Sequence, residues 1–343
     1  MFIKINNKLS INKNKRPLII AEISGNHRGS KKLFLEHIRE ASKCGADLIK
    51  IQTYEPQDIT IKNFEKKFLI KEGIWKNQSL WSLYKKAHTP FKWHEDAFKL
   101  AKKLKIELFS SPFSKRAVDL LEKFNVKLYK IASFEITDLN LIDYIASKKK
   151  PIIISTGMAS LQEIKNAIKC IKRYHNKITI LYCVSGYPSE EKDANLLTLN
   201  KYKKIFKNVN IGLSDHTNNI YTSLTATAFK VCVIEKHFII SNKLNTSDSK
   251  FSIDKYQLKN LVYGVKKVYQ SLGKEKIGPK KVEISSKKLR RSIFAIKDIR
   301  KGERFNESNI GNFRPKIGLG SENFSKILGK KSNRFYKKNS PIY

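Results

Sequence analysis

The stretch "NIGLSDHT" (Asn210–Thr217) is followed by "VCVIEKHF" (Val231–Phe238), and each is an apolar run ending in a cluster of Ser, Asp, Glu, Lys and His. A strand in a soluble domain ordinarily ends in turn residues. Either histidine alone reads as a satisfied structural residue, so the other apolar runs decide the matter. Six precede them: "PLIIAEIS" (17–24), "ADLIKIQT" (46–53), "IELFSSPF" (106–113), "KLYKIAS" (127–133), "PIIISTG" (151–157) and "ITILYCVS" (178–185). All are short and rich in β-branched or aromatic residues, as strands are. Amphipathic stretches separate most of them. In "SLQEIKNAIKCIKRY" (160–174), Ser160 followed by Glu163 predicts a capping box at a helix start.

Eight strand-then-helix units predict an α/β fold, a closed parallel (β/α)8 TIM barrel with its helices outside. A doubly wound open sheet would need a glycine-rich phosphate turn after its first strand, and "AEISGNHRGS" does not fit G-x-G-x-x-G. The one long interruption, Tyr54 to about Pro90, is rich in lysine and aromatics and reads as an insertion after the second strand. Near the C-terminus, Gly273, Gly278, Pro279 and a Lys/Ser cluster mark a change of pattern. The expected organisation is a barrel over 1–272, a linker over 273–285 and a small β-rich domain over 286–343.

At 343 residues the chain holds a full core. No apolar run approaches the roughly 20 residues of a membrane span. The N-terminal "MFIKINNKLSINKNKRP" has neither a continuous apolar core nor a small-residue cleavage signal. Four scattered cysteines suit neither a disulfide framework nor a zinc knuckle, so the expected setting is the cytoplasm. The net charge of +39 invites a nucleic-acid or anionic-surface reading. Yet both parts are basic, +12 from residue 285 onward and +27 before it, and the excess is mostly lysine spread along the chain. A compositional bias toward Lys, Asn and Ile accounts for this, and no specific nucleic-acid or membrane partner is expected.

The carboxyl ends of barrel strands face the active site. Here they carry Glu22, Ser24, Asn26 and His27; Lys50 and Gln52; Ser110 and Ser111; Lys130 and Ser133; Ser155 and Thr156; Ser185 and Tyr187; Ser214, Asp215 and His216; and Glu235, Lys236 and His237. Unpaired charge is costly to bury, so lysines in otherwise apolar strands argue for function. Two lysines and several hydroxyls converging on one mouth suit phosphate plus carboxylate. His216 and His237, on adjacent strand ends, offer two nitrogen ligands to one divalent metal with open positions. Glu22 is the candidate for acid/base work or for holding a substrate hydroxyl. The residues alone therefore describe an enzyme acting on a phosphorylated, carboxylated small molecule. An aldolase using Lys130 or Lys50 as a Schiff-base nucleophile stays open at this point.

"AEISGNHRGS", "ADLIKIQTY", "YKIASFEITDLNLI", "PIIISTGMAS", "IGLSDHT" and "VIEKHF" resemble, in order and spacing, the N-acylneuraminate (sialic acid) synthase family. The tail, with "RRSIFAIKDIRKGE" and "NFRP", is similar to that family's C-terminal antifreeze-like (SAF) domain. The resemblance implies condensation of phosphoenolpyruvate with an open-chain amino-sugar aldehyde, giving a 2-keto acid and phosphate. "YKIASFEITDL" and "LWSLYKKAHTPFKWH" are most similar to the pseudaminic acid branch, which implies 2,4-diacetamido-2,4,6-trideoxy-L-altrose as the sugar; the N-acetylneuraminate and legionaminate branches use other aldehydes.

The resemblance also implies roles. Lys50, Lys130, Ser133, Ser155 and Ser214 would hold phosphoenolpyruvate, with Ser110, Gln52 and Tyr187 supporting. Glu22 and Asp248 would contact the sugar or activate water. A manganese or magnesium ion would sit on His216 and His237, flanked by Asp215, Glu235 and Lys236. Arg314 would reach into a partner subunit's site, which implies a domain-swapped homodimer. The chain departs from the family pattern at Arg28, Ser114 and Gly186, and none of these removes an expected ligand or lysine.

Overall fold

The computed structural model describes residues 2–343, which divide into two compact units, one ending at Gly273 and the other Lys274–Tyr343. The first opens with an antiparallel hairpin, β1 (Phe2–Lys4) and β2 (Ser10–Asn12). Eight parallel strands follow: β3 (Leu18–Glu22), β4 (Leu48–Thr53), β5 (Glu107–Pro112), β6 (Tyr129–Ile131), β7 (Ile152–Ser155), β8 (Ile178–Cys183), β9 (Asn210–Asp215) and β10 (Val233–His237). They pair in chain order, and β10 returns to β3 to close the barrel. Each lies inside one of the eight apolar runs.

Alternation along the strands sorts residues into two cores. Outward-facing Ile19, Ile49, Ile131, Ile154 and Ile234 join one cluster with residues of the surrounding helices, among them Phe34 and Ile38 of α1 (Lys31–Lys43). Inward-facing Leu18, Ile20, Leu48, Phe109, Leu128, Ile153, Leu181 and Val233 form a second cluster with Ile3, Ile5 and Ile11. The hairpin therefore seals the end of the barrel where the strands begin. Further along, the inward positions change character: Ile20 gives way to Glu22, Leu48 to Lys50, Leu128 to Lys130, Ile153 to Ser155 and Val233 to Glu235. The barrel interior is apolar below and polar above.

The connections carry the expected cap. Before the helix Leu161–Lys172, Ser160 accepts from the Glu163 amide at 3.2 Å, and the Glu163 carboxylate accepts from the Ser160 amide at 2.7 Å. The insertion after β4 consists of short 3-10 turns and the helix Leu80–Ala87.

In the second unit, Ser292–Ala295 pairs antiparallel with Ile310–Phe313 around a small core of Ile293, Ala295, Ile299, Phe305, Ile310 and Tyr336. Residues 274–291 are exposed throughout and contain only 3-10 turns.

Candidate active site

At the level where the interior turns polar, four charges meet. Lys50 Nζ lies 3.1 Å from Glu22 and 3.4 Å from Glu235, and Lys130 Nζ lies 3.9 Å from Glu235. Ser214 donates to Glu235 at 3.1 Å, and Lys50 donates to Ser111 at 3.4 Å. All four charged side chains are buried. Each would be expensive to bury unpaired, and their alternation of sign offsets that cost.

The four do not respond alike. Burial pushes the Glu22 carboxyl up to about 7 against the pull of Lys50, and its oxygens have no hydrogen-bond partner of good geometry. For Glu235, burial is outweighed by Lys130 and Lys50, which hold it below its ordinary value. Burial lowers the Lys130 ammonium to about 8 despite Glu235. Lys50 is also opposed by burial, but Glu22 and Glu235 together keep it above its usual range. At neutral pH the cluster thus holds two ammonium groups and one firmly ionised carboxylate, with Glu22 able to gain or lose a proton.

Beside this cluster the rings of His216 and His237 lie 5.3 Å apart. His216 Nδ1 is 2.8 Å from the Val184 carbonyl, which fixes the proton there and leaves Nε2 as the lone-pair nitrogen. His237 Nδ1 is buried with no partner. Burial, reinforced by the charge of His216, keeps His237 neutral. Phe251 meets the His237 ring edge-on at 4.8 Å, and Tyr187 leans on His216 at 4.5 Å. Burial opposes a charge on His216, but Cys183 and the Val184 carbonyl raise its pKa above the ordinary value, so His216 sheds a proton before the two imidazoles hold a divalent cation. Among the described residues no group of three or more His, Cys, Asp and Glu is placed to hold a metal ion.

A cavity of about 300 Å³ joins the lysines to the histidines. Lys50, Gln52, Lys130, Ser133, Ser155, Tyr187, Ser214, His216, His237 and Asp248 all line it. Ser133 Oγ accepts from the Gly157 amide at 3.1 Å, and a Cβ at position 157 would fall 1.9 Å from Ser185 Oγ and 2.9 Å from Ser133 Oγ, displacing both hydroxyls. Asp248 is buried, accepts from the Gly25 amide at 3.0 Å, and has its carboxyl raised by burial.

The pattern of the NeuB family matches residues 37–277. The chain belongs to the NeuB family. It is 44% identical over 329 residues to a pseudaminic acid synthase of Helicobacter pylori, covering 95% of this chain and 96% of that one. It is 35% identical over 336 residues to an N,N'-diacetyllegionaminic acid synthase of Campylobacter jejuni, covering 96% and 99%. The crystal structure of an N-acetylneuraminic acid (sialic acid) synthetase from Leptospira borgpetersenii serovar Hardjo-bovis in complex with citrate superposes with a TM-score of 0.75 at 30% identity, covering 83% of this chain and 95% of that one.

Within this NeuB-family barrel some expected residues sit elsewhere. Ser110 does not face the cavity. It points outward, donating to the Ile51 carbonyl at 3.0 Å and lying 2.6 Å from Thr53 Oγ1, which in turn meets His94. Ser111, one residue on and therefore on the opposite face, is the hydroxyl that meets Lys50. Lys236 also points outward, pairing with Asp215 at 2.9 Å and donating to the Thr217 carbonyl at 2.5 Å. Asp215 accepts from Ser223 of the helix Tyr221–Ala228 at 2.6 Å, so this pair ties strands to helix and does not flank the histidines. Glu22 lies alongside Lys50 and is not among the lining residues. His27 is buried against Phe34 and Trp93 and accepts from the Gly29 amide at 3.1 Å, a loop-shaping role. Arg314 belongs to the second unit. Ser114 caps the helix Lys115–Lys123, accepting from the Ala117 amide at 3.2 Å, a position where Ser and Asp are interchangeable.

Other lining residues escape a strand-end reading. Glu135 follows Ser133 in a 3-10 turn that brings its carboxyl back to the cavity, where burial raises it to about 7 and one oxygen has no partner. The "SFE" spacing was the available signal. Trp75 comes from the insertion and carries no strand-end signal at all.

The Lys130 charge is lost as pH rises through about 8. Binding of phosphoenolpyruvate, the anion implied by the resemblance, therefore weakens above that pH when followed by calorimetry, and Lys130→Arg retains binding there. An affinity that stays constant well above pH 8 in the unsubstituted protein contradicts this assignment.

Proposed function

We propose that this chain condenses phosphoenolpyruvate with 2,4-diacetamido-2,4,6-trideoxy-L-altrose to give pseudaminic acid and phosphate. The observation that carries the reading is a single cavity joining two buried lysines and the Ser133, Ser155 and Ser214 hydroxyls to the His216 and His237 imidazoles. The near full-length likeness to a pseudaminic acid synthase, higher than that to a legionaminic acid synthase, supports the sugar.

The chemistry follows from the residues. Lys50, Lys130 and the three serines hold the phosphate and carboxylate oxygens of phosphoenolpyruvate, with Gln52 and Tyr187 at its edge. His216 and His237 would hold a divalent manganese or magnesium ion, which supplies Lewis-acid polarisation of the sugar aldehyde. The enol π pair forms the new bond from C3 to the aldehyde carbon, leaving C2 electron-deficient, while the aldehyde C=O π pair moves onto its oxygen, which becomes a hydroxyl by taking a proton released by the water that adds next. Water adds at C2, and the tetrahedral centre expels phosphate with cleavage of the C–O bond. Glu22, poised near 7, lies behind Lys50 and off the cavity wall, so a proton it exchanges with this centre passes through the Lys50 ammonium, 3.1 Å away. Asp248, held on the Gly25 amide, orients a sugar hydroxyl or the water. Buried free thiols and a phosphoenolpyruvate substrate fit a cytoplasmic setting; among the described residues no helix is long and apolar enough to cross a membrane.

Phosphate release from phosphoenolpyruvate should require both the aldehyde and a divalent metal. His237→Ala should reduce it by about three orders of magnitude or more, with phosphoenolpyruvate binding retained. Purified protein that releases no phosphate with manganese and the diacetamido sugar overturns the proposal. One observation favours a second reading: the lowered Lys130 pKa gives a free-amine fraction suited to an imine. Borohydride with pyruvate separates the two, because only a Schiff-base aldolase is trapped on Lys130.

For the second unit, the antifreeze-like resemblance supports a homodimer in which Arg314 completes a neighbouring subunit's site. Mixing Arg314→Ala with His237→Ala protomers should then restore about a quarter to a half of the activity, since one site per mixed dimer is intact. No recovery on mixing argues against the exchange.

A further inference from the structure

The cavity has two unlike halves. The strand ends make one half charged and hydroxylated, and the insertion makes the other largely apolar, with Tyr54 and Tyr84 its hydroxyl-bearing side chains. Ile59, Ile70, Trp75, Leu80, Leu83 and Tyr84 all come from residues 54–90, and all line the cavity. The same segment carries Lys62, Lys66, Lys67, Lys71, Lys76, Lys85 and Lys86, yet none of these lysines is on the cavity wall. The segment therefore directs its charge to solvent and its apolar side chains inward, a sorting that solvation explains.

The wall is also fixed in place. Trp75 Nε1 donates to the Ser247 carbonyl at 2.9 Å, next to Asp248, and its ring lies 5.6 Å from Tyr187 and 6.0 Å from Phe251. Both of those rings touch the histidines. The indole's one polar atom is thus engaged away from the cavity. Leu83, on the helix Leu80–Ala87, is buried at 7% exposure, and Ile70, which lines the same cavity, offers only hydrocarbon groups. A substrate hydroxyl turned toward Leu83 or Ile70 gives up water and finds no partner, whereas a methyl group there is removed from water favourably.

We propose that residues 54–90 form a selectivity wall, with Leu83 and Ile70 the selecting side chains, which accepts methyl-bearing substituents at the end of the sugar remote from its aldehyde and disfavours a hydroxyl there. This deepens the reading above and rests on it for the placement of the aldehyde near His216 and His237. With that end fixed among the polar groups, the remote end of a six-carbon chain meets the insertion. The substrate class is an amino-sugar aldehyde whose far end is a deoxy carbon.

The test uses the full chain and reduced sugars, which bind without reacting: the alditols of 2,4-diacetamido-2,4,6-trideoxy-L-altrose and of N-acetylmannosamine, titrated by calorimetry in the presence of phosphoenolpyruvate. The unsubstituted protein should prefer the deoxy alditol by about tenfold or more, the discrimination that one or two apolar contacts supply. Leu83→Thr and Ile70→Thr should each shrink that ratio several-fold, leaving phosphoenolpyruvate affinity unchanged, and Leu83→Met should preserve it. Equal affinity of the unsubstituted protein for both alditols overturns the proposal, as does a threonine variant that weakens both alditols in the same proportion. Failure of the underlying reading shows itself separately, as alditol discrimination in a protein that releases no phosphate with either aldehyde.

Discussion

The interior of this barrel depends on the mutual neutralisation of Glu22, Lys50, Glu235 and Lys130. Four charges are buried one layer above Ile20, Leu48, Leu128 and Val233, where little water reaches them. None could stay ionised there alone. Their alternation of sign makes the layer tolerable, and that alternation requires β3, β4, β6 and β10 to hold their registers. A slip of one residue on any of these strands would turn its charge outward into the helix layer and bring a residue of that layer inward.

The same layer explains how an apolar barrel acquires a binding surface. The hairpin residues Ile3, Ile5 and Ile11 seal the lower end, so polar groups gather only at the upper one. The protonation of Glu22 then sets the field. With Glu235 ionised and Glu22 poised near 7, the two lysines leave a surplus of positive charge facing the cavity. Outside the barrel, Lys236 and Asp215 repeat the device once, as a buried pair that holds β9 and β10 to the helix Tyr221–Ala228. Chemistry and scaffold use the same strands, with alternate residues assigned to each.

That alternation also decides what could be read from sequence. The eight strands were legible because each is a short β-branched run. His216 and His237 were legible because they close two such runs at matching positions. Lys50 and Gln52 were placed on one face by the period of two, and the structure keeps them there. Ser110 and Lys236 were misplaced for the same reason in reverse: each is adjacent to the inward residue, and a strand-end reading does not fix which of two neighbours points in. Glu135 needed the 3-10 turn after β6, which composition does not announce. Trp75, Leu83 and the rest of the insertion were unreadable as a wall, since an irregular segment places its side chains through tertiary contacts such as that of Trp75 with the Ser247 carbonyl.

The account rests on the claim that this polar layer joins the three carbons of phosphoenolpyruvate to an amino-sugar aldehyde. Its most direct test offers phosphoenolpyruvate labelled with 13C at all three carbons, together with the pseudaminic and sialic precursor aldehydes in competition, and reads the products by mass spectrometry. The account predicts a nine-carbon 2-keto acid carrying all three labelled carbons and built from the diacetamido trideoxy sugar. Label that never enters a sugar acid, or that enters only the product of N-acetylmannosamine, would contradict it.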